Sequence, residues 1–541
     1  MKPFRFCKAY LLLHKYALIG FATITLTSAI ISIMSPYIIG DFLDTLIYGA
    51  DMGVILRFCI IFGGLSLLRI VKGYVSNVLF IKIQIKLNYD LTKNITQYIQ
   101  SLSLSYINQK DSAYLSQRVG SDSIALIGFC MTLLKNIITN FLILVVPFVI
   151  LLFMNRLITL LMLSFTIVYM ISYFAFVKPL YNAGLAVREA QANFMSKMLE
   201  QFQHMKLIKM NSIQNEMIEN TDSSYVNIKD TSIHNQKVTY LYSSLDGIIS
   251  TIAQIVLFVI GGIQVLEGNF TIGMFTVFTS YFNMMLGASR YFFGIGASYQ
   301  KTLTVYDRIM DILNQKPESR GKKSIHDIKQ IELNNLTFSY DSKGQIISHF
   351  NAAFSKGRIY GIAGENGKGK STLISLIMGM YIDEYEGQIA YDGVDIRDID
   401  MEAARKNLLG FAEQEPQLVS YSIRYNLDFQ QTGNSGDMLH QLDKHIKTLN
   451  MENFITSNSL DFIINEKNTN ISGGEKQKIS ILRVLHKNPV VMIFDEPTSA
   501  LDSQTTKNFM EYLERVKADK IIIIITHEET VLDFCDKILV I

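Results

Sequence analysis

Tryptophan is absent from the 541 residues, cysteine occurs four times and proline eight times. The cysteines (Cys7, Cys59, Cys130, Cys535) are scattered, with no CxxC pair and no metal-ligand spacing, so they supply neither a disulfide framework nor a zinc site. Charge is also scarce. Only 18% of residues are charged and the formal net charge is +2, which removes the electrostatic argument for a nucleic acid partner. What fills the chain is apolar: 49% of residues are hydrophobic and the mean hydropathy is +0.23. That is too apolar for an ordinary soluble enzyme, and the chain is too long for one domain. A membrane region is implied.

Apolar runs near the ~20 residues that a bilayer requires fall at 16–40, 54–82, 130–155, 157–177, 240–266 and 271–293. Two intervening stretches, 83–129 and 178–239, are long, polar and helix-periodic with no Pro or Gly cluster, which predicts helices continuing out of the membrane. Lys2, Arg5, Lys8 and Lys15 precede the first span, whereas the first loop carries Asp41, Asp44 and Asp51 and no base, so the N-terminus is expected inside. The first run is too long for a cleaved signal peptide and lacks its small-residue cleavage site. An even number of spans places the C-terminal half on the same side. Arg57 is close enough to a span end to snorkel. Arg69, Lys72, Lys135 and Asp246 lie deeper, each costly unless paired or facing a wet cavity. Asp246 is expected to pair with Arg69 or Lys72 and fix packing, or to line a cavity for a polar or anionic cargo.

After a linker-like stretch, NQKPESRGKKS at 314–324, the pattern changes. GENGKGKS (364–371) follows the apolar GRIYGIA and precedes STLISLIMGM, which reads as strand, loop, helix. Glycines let backbone N–H groups curl around phosphates, and the helix N-terminus adds orphan donors and partial positive charge. The loop residues Gly364, Glu365, Asn366, Gly367, Lys368 and Gly369 would wrap the phosphates of a nucleoside triphosphate. Lys370 would reach the β- and γ-phosphates, Ser371 would hold Mg²⁺, and Thr372 would sit on the first helical turn. Downstream, the apolar VVMIF closes on Asp495 and Glu496, and five isoleucines, Ile521 to Ile525, end in Thr526 and His527. Two acids at the end of a buried strand are expensive unless a cation or a reacting water uses them. Asp495 is therefore placed as a Mg²⁺ partner and Glu496 as the base for the attacking water.

With ISGGE (471–475), LTFSY ending at Tyr340, FAEQEPQL around Gln414, and SALD ending at Asp502, the segment resembles the nucleotide-binding domain of an ABC transporter. The resemblance implies that Ser472, Gly473, Gly474 and Glu475 form the signature loop, which completes the ATP site of the opposite subunit. It implies that Tyr340 stacks on adenine, that Gln414 senses the γ-phosphate and joins Ser371 and Asp495 at the metal, and that Asp502 lies on the loop crossing between sites. His527 corresponds to the switch histidine. Glu466 occupies the place of the exporter-type acid before the signature. Asn465 and Asn468 stand where the family has glycines, and Glu475 where it has glutamine.

Within the polar excursions, SAYLSQRVGSD (112–122) is similar to the exporter pattern G-x-L-x-S-R-x-x-x-D at Leu115, Arg118 and Asp122, with Ala113 and Gln117 as departures; EQFQHMKLIKMN (200–211) fills the equivalent place in the second. In relatives each excursion bends through a short coupling helix. Relatives also usually continue past the final KILVI with a hairpin and helix, and some peptide exporters carry a cysteine-protease domain ahead of the first span that is not seen here.

The implied fold is an all-α, six-helix membrane domain of the type I exporter kind (1–313), a linker (314–324), and an α/β P-loop ABC domain (325–541). The implied activity is ATP hydrolysis coupled to export, with ATP and Mg²⁺ as cofactors and candidate catalytic residues Glu496, His527 and Gln414. One chain holds one Walker loop and one signature loop, so a homodimer is the simplest assembly, and a heterodimer with a second half-transporter stays open. GFAEQEP and the Glu466 stretch look most like bacteriocin and lantibiotic exporters, which implies peptide cargo and no nucleic acid. Lipid or multidrug export is the alternative, and a membrane sensor or immunity module is the reading from a different class. Abundant Ile, Lys and Asn without Trp fit an AT-rich bacterial genome, hence a bacterial cytoplasmic membrane.

Overall fold

A computed structural model describes the chain except for residues 1, 48, 50, 341–343, 366, 430–441, 448–459, 466–469 and 500, and the side chains of Ala113 and Ala297. Asn366, Glu466 and Asn468 therefore lie outside the described residues. The chain divides into two compact units, Met1–Tyr98 with Ser112–Gln315 and Ile99–Asp111 with Lys316–Ile541.

The first unit is helical. Its elements are α1 (Lys2–Leu13), α2 (Lys15–Ile47), α3 (Met52–Gln100), then α5 (Ser112–Gln117), α6 (Ser123–Met154), α7 (Arg156–Gln203), α8 (Met205–Asn211), α9 (Gln214–Leu266) and α10 (Ile272–Leu313), with α4 (Leu104–Asn108) belonging to the second unit. Among the described residues, five helices are long and apolar enough to cross a membrane, with mean hydropathies of 2.0 to 2.8 in their most apolar windows: α2, α3, the run 114–154 that contains α6, α7 and α9. The sixth expected span falls within α10, which is long enough but not apolar enough by composition. The reason is visible in its packing. Val277, Phe278, Tyr281, Phe282, Met285 and Leu286 are buried against the other helices, so α10 presents less surface to lipid and tolerates Thr276, Thr279 and Asn283.

The first polar excursion is not one continuous helix. It breaks at 101–103, where Ser103 caps α4 by accepting from the Tyr106 N–H, and Leu104 packs against the core of the second unit. Chain returning to the membrane unit then forms α5 and a π-helical turn, Arg118–Asp122. The motif residues Arg118 and Asp122 are both buried and bond each other at 2.6 Å, with the guanidinium 4.4 Å from the Tyr114 ring. In the second excursion α8 is the short helix, ended by Ser212 in the left-handed region.

One expectation about intramembrane charge needs correcting. Asp246 pairs with neither Arg69 nor Lys72; its partner is Arg290 of α10, at 2.9 Å. Arg290 was overlooked because it lies inside the sixth apolar run. Lys135 donates to Asn77 Oδ1 at 3.1 Å and lies 5.3 Å from the Phe80 ring, so a side-chain amide and an aromatic face, not a carboxylate, accommodate its charge.

At the loop end of the bundle α2 and α10 touch backbone to backbone. A Cβ on Gly273 would lie 2.0 Å from the Gly40 carbonyl oxygen, and Asp44 accepts from Thr271 Oγ1 at 2.5 Å and from the Gly273 N–H at 2.7 Å. Deeper in, Tyr281 donates to the Ile33 carbonyl at 2.8 Å.

The second unit holds two sheets. One is antiparallel, in the order β2-β1-β4-β5, from Gln330–Ser339 (β1), Gln345–Ser355 (β2), Glu386–Tyr391 (β4) and Val394–Asp395 (β5). The other is parallel, in the order β6-β7-β8-β3-β9, from Arg358–Ala363 (β3), Leu409–Ala412 (β6), Val491–Asp495 (β7), Ile521–Ile525 (β8) and Lys537–Val540 (β9). Every residue of β7 and β8 is buried, which is why both read as unbroken apolar runs and not as alternating ones. Around them lie α11 (Lys370–Ile377), α12 (Met401–Asn407), α13 (Ile423–Leu427), α14 (Gly473–Lys487), α15 (Ser503–Val516) and α16 (Glu529–Leu532).

Gly273→Ala is expected to lower the thermal midpoint of the detergent-solubilised protein, because the added methyl must separate α2 from α10 at a cost of about 1–3 kcal/mol. Gly20→Ala, where no atom lies within 4 Å, is the control and should leave the midpoint unchanged or raise it.

Candidate functional site

Three connections leave the parallel sheet at the same edge. In the registers Ile362↔Ile525 and Asp495↔Ile525, β8 lies between β3 and β7, so the glycine loop after β3, the acid pair after β7 and Thr526–His527 after β8 emerge side by side. Ligand sites of open parallel sheets lie at this carboxyl end.

The glycine loop closes on α11. Gly367 and Gly369 have φ of 83° and 97°, in the left-handed region, and a Cβ on Gly369 would lie 2.7 Å from Ile346 Cγ2. Lys370, the first helical residue, is only 7% exposed. Its ammonium donates to the carbonyls of Gly364 at 2.5 Å and Glu365 at 3.3 Å and to His527 Nε2 at 2.8 Å. A lysine can only donate, so in this contact His527 Nε2 is the acceptor. Glu365 and Lys368 form an exposed pair at the loop tip, 3.6 Å apart. Thr372 Oγ1 lies 3.3 Å from the Tyr340 hydroxyl, and the Tyr340 ring stands edge-on to Phe338 and Tyr381.

Beside Lys370, Ser371 Oγ donates to Asp495 Oδ2 at 3.0 Å. Burial pushes the Asp495 carboxyl above its ordinary value; Ser371 and Lys370 oppose that shift and the neighbouring Glu496 reinforces it. Glu496 Oε2 accepts from Gln414 Nε2 at 2.7 Å, and its Oε1 lies 3.7 Å from His527 Nε2. Lys370, Ser371, Gln414, Asp495, Glu496 and His527 thus form one connected group. Gln414 reaches it through Glu496, while Ser371 reaches Asp495 directly.

The Ser472–Glu475 segment starts α14 and is a complete capping box. Ser472 Oγ accepts from the Glu475 N–H at 3.3 Å, and Glu475 Oε2 accepts from Ser472 N at 2.7 Å and Oγ at 2.7 Å. Glu475 in place of glutamine therefore sets a negative charge against the positive end of α14. Asp502 caps α15, accepting from Thr505 N and Oγ1, both at 2.8 Å, and these bonds hold its carboxyl below the ordinary range. Among the described residues no hydrogen bond joins Ser472, Gly473, Gly474 or Glu475 to Lys370 or Ser371.

The sequence reading missed Gln477. This side chain, 3% exposed, donates from Nε2 to the Glu496 carbonyl at 2.5 Å and to Ser499 Oγ at 3.1 Å. Glu496 has φ of 45°, strained for a side chain with a Cβ, and its N–H continues the sheet by donating to Ile525 O at 2.8 Å. Gln477 therefore holds the other end of a strained peptide. Its signal was available: a glutamine on the apolar face of α14, in step with Ser480, Ile481 and Val484, is a buried polar group that must find partners.

Against known proteins, residues 18–289 match the family model described as ABC transporter transmembrane region, and residues 347–499 match ABC transporter. The chain belongs to the ABC transporter family. It is 28% identical over 449 residues to ABC transporter B family member 1 of Dictyostelium discoideum, covering 81% of this chain but 48% of that protein, so the chain spans about half the length of that relative. A putative multidrug export ATP-binding/permease protein of Bacillus subtilis is 26% identical over 84% of this chain and 79% of its own length. The structure of a bacterial Atm1-family ABC exporter with ATP bound superposes with a TM-score of 0.85 over 98% of this chain and 94% of that one, at 19% identity. The fold is thus that of an ABC exporter: helical membrane domain first, nucleotide-binding domain second. Domains of this family hydrolyse ATP to drive transport.

The residues fit the expected ligands of an ABC domain. A near-buried lysine ringed by loop carbonyls, two left-handed glycines and a helix N-terminus suit phosphate, and the hydroxyl–carboxylate pair Ser371–Asp495 is the hard-oxygen set Mg²⁺ prefers.

Gln477→Met keeps the shape but removes both donors. We expect kcat for ATP to fall about tenfold to a hundredfold with KM little changed, as a misplaced base predicts; an unchanged kcat in steady-state assays would show that Glu496 needs no such tether. Asp495 gives a second test. Because its folded-state pKa is raised, its neutral form stabilises the fold below the ordinary carboxylate range, and that contribution is lost as pH rises through the raised value. At neutral pH without nucleotide, Asp495→Asn should therefore melt higher than the native protein while losing Mg²⁺-dependent ATPase.

Proposed function

We propose that this chain is one half of a homodimeric, ATP-driven exporter in a bacterial cytoplasmic membrane, with both termini cytosolic and a peptide as cargo. The observation that carries the reading is the gathering of Lys370, Ser371, Asp495, Glu496, Gln414 and His527 at one sheet edge, in a chain that also holds long apolar helices.

In this reading Gly364 to Gly369 and Lys370 hold the phosphates, Tyr340 offers its ring to adenine, and Thr372 braces Tyr340. Ser371 and Asp495, with Gln414, hold Mg²⁺, which neutralises phosphate charge. Glu496 accepts the proton of the attacking water, and His527 must give up Lys370 before it turns toward the γ-phosphate. Ser472, Gly473 and Gly474 donate to the ATP of the partner subunit. That assignment agrees with the lack of any described bond from these residues to their own Lys370. Closing two nucleotide-binding domains on two ATP molecules then favours the outward-open arrangement of the helices, and hydrolysis releases it.

Peptide cargo rests on the likeness of GFAEQEP and the Glu466 stretch to bacteriocin and lantibiotic exporters. Multidrug export is the second reading, favoured by the description that the Bacillus subtilis relative carries. Accumulation of a labelled peptide in inverted proteoliposomes, with peptide-stimulated ATPase, would support the first; stimulation and accumulation of small apolar dyes alone would replace it with the second. Glu496→Gln is expected to cut kcat about 10²- to 10⁴-fold while ATP-bound closed dimers accumulate. Turnover close to the native rate would remove Glu496 from the role of base.

A further inference from the structure

The Asp246–Arg290 pair sits among aromatic rings. Arg290 of α10 lies over Tyr169 of α7, 5.8 Å from guanidinium carbon to ring centroid, and the Tyr169 and Tyr242 hydroxyls are 2.9 Å apart. Tyr173 stacks on Phe293 at 5.7 Å and faces Tyr242 at 6.4 Å. At 1.5 Å per residue, Arg290 is ~27 Å from the start of α10 and Asp246 ~30 Å from the end of α9, which places both near the far boundary of a ~30 Å hydrocarbon core.

The pair is lopsided. Asp246 takes Nε at 3.3 Å and Nη2 at 3.1 Å on Oδ1, and Nη2 again at 2.9 Å on Oδ2. Its side chain is 18% exposed, whereas that of Arg290 is 44% exposed and its Nη1 has no acceptor among the described residues. The acid is the more covered partner and the cation the more exposed one, with Nη1 unbonded among the described residues and the Tyr169 ring against the guanidinium.

We propose that this edge of Arg290 binds the carboxylate of an amphipathic cargo whose apolar part lies against Tyr173, Tyr242 and Phe293, with Asp246 as the residue that orients the guanidinium. The proposal rests on the export reading and names the chemical group the transporter recognises. Two parallel N–H groups on a planar edge match a carboxylate. Because Asp246 already offsets the arginine charge, the site suits a singly charged oxyanion better than a dianionic phosphate, which would leave more uncompensated charge at the edge of the hydrocarbon core.

The test uses the full chain in phosphatidylcholine nanodiscs and radiolabelled N-dodecanoylglycine, its amide, and dodecyl phosphate. Native protein is expected to bind the acid about tenfold more tightly than the amide, the discrimination a charge-assisted hydrogen bond provides, and Arg290→Gln should bring the two within about twofold. The exchange Asp246→Arg with Arg290→Asp restores an ion pair and should restore the melting temperature without restoring the preference. Equal binding of acid and amide to native protein, or a preference that survives Arg290→Gln, overturns the proposal. Tighter binding of dodecyl phosphate than of the acid overturns it in favour of a phosphate headgroup. Acid preference without peptide accumulation in proteoliposomes refutes peptide export and leaves the site standing; accumulation without acid preference does the reverse.

Discussion

Two adjacent carboxylates at the end of a fully buried strand are the constraint around which the nucleotide-binding domain is arranged. Asp495 is 6% exposed and ends a strand in which every residue is buried, so its charge is tolerable only where cations and donors converge. The parallel sheet supplies that convergence by geometry. With β8 between β3 and β7, the lysine of the glycine loop, the acids and the histidine leave at one edge although more than 150 residues separate Lys370 from His527. Each group then relieves another: Lys370 lowers the cost of Asp495, His527 accepts from Lys370, and Gln414 donates to Glu496. In such a network the replacement of one member by an apolar residue leaves its neighbours with unmet charge, and losses are not additive.

The same network has a mechanical side. Glu496 is left-handed without being glycine, and that backbone is held from β8 through its N–H and from α14 through its carbonyl. The helix that starts with the signature residues is therefore bonded, one turn later, to the peptide that aims the proposed base. If the start of α14 serves the partner's ATP, occupancy of one site reaches the base of the other through Gln477 and Ser499 without any long relay. Coupling of this kind needs a short, fully satisfied polar contact in a dry setting, and a 3% exposed amide with two bonds supplies one.

What was legible in the sequence was what local physics dictates. The glycine loop is readable because phosphate binding demands glycines and a helix start within a few residues, and Ile521–Ile525 because only a strand covered on both faces tolerates five isoleucines. Arg290 was not legible because its meaning depends on a partner 44 residues away, which spacing alone does not reveal; Gln477 was legible as a polar group on an apolar helix face, but its partner 19 residues away was not. The break at 101–103 was hidden for a related reason: its serines are compatible with a polar helix, and only the docking of Leu102 and Leu104 on the second unit selects the turn. The sixth apolar run is a helix, α10, but its hydropathy falls short of the five candidate spans among the described residues, and its apolar side chains are buried inside the bundle.

The membrane unit shows why exposure must be weighed differently in lipid. None of the most apolar window of α3 is buried within the chain, and Leu67, Ile70 and Tyr74 are 65–72% exposed. In water such a face would demand a cover, but lipid tails solvate leucine as well as another helix does, so apolar exposure there carries no driving force for association. Polar groups carry the information instead. Arg69 and Lys72 have no acidic partner among the described residues, yet they lie ~26 and ~30 Å along α3 from Met52, where long aliphatic stems can lift a charge to the headgroups. Arg290 lies at a similar depth but cannot be explained the same way, because Asp246 and Tyr169 hold its guanidinium against the bundle. Unlike Arg69 and Lys72, it has a position that the protein fixes through a carboxylate, and a fixed charge with an open edge is what selective recognition requires.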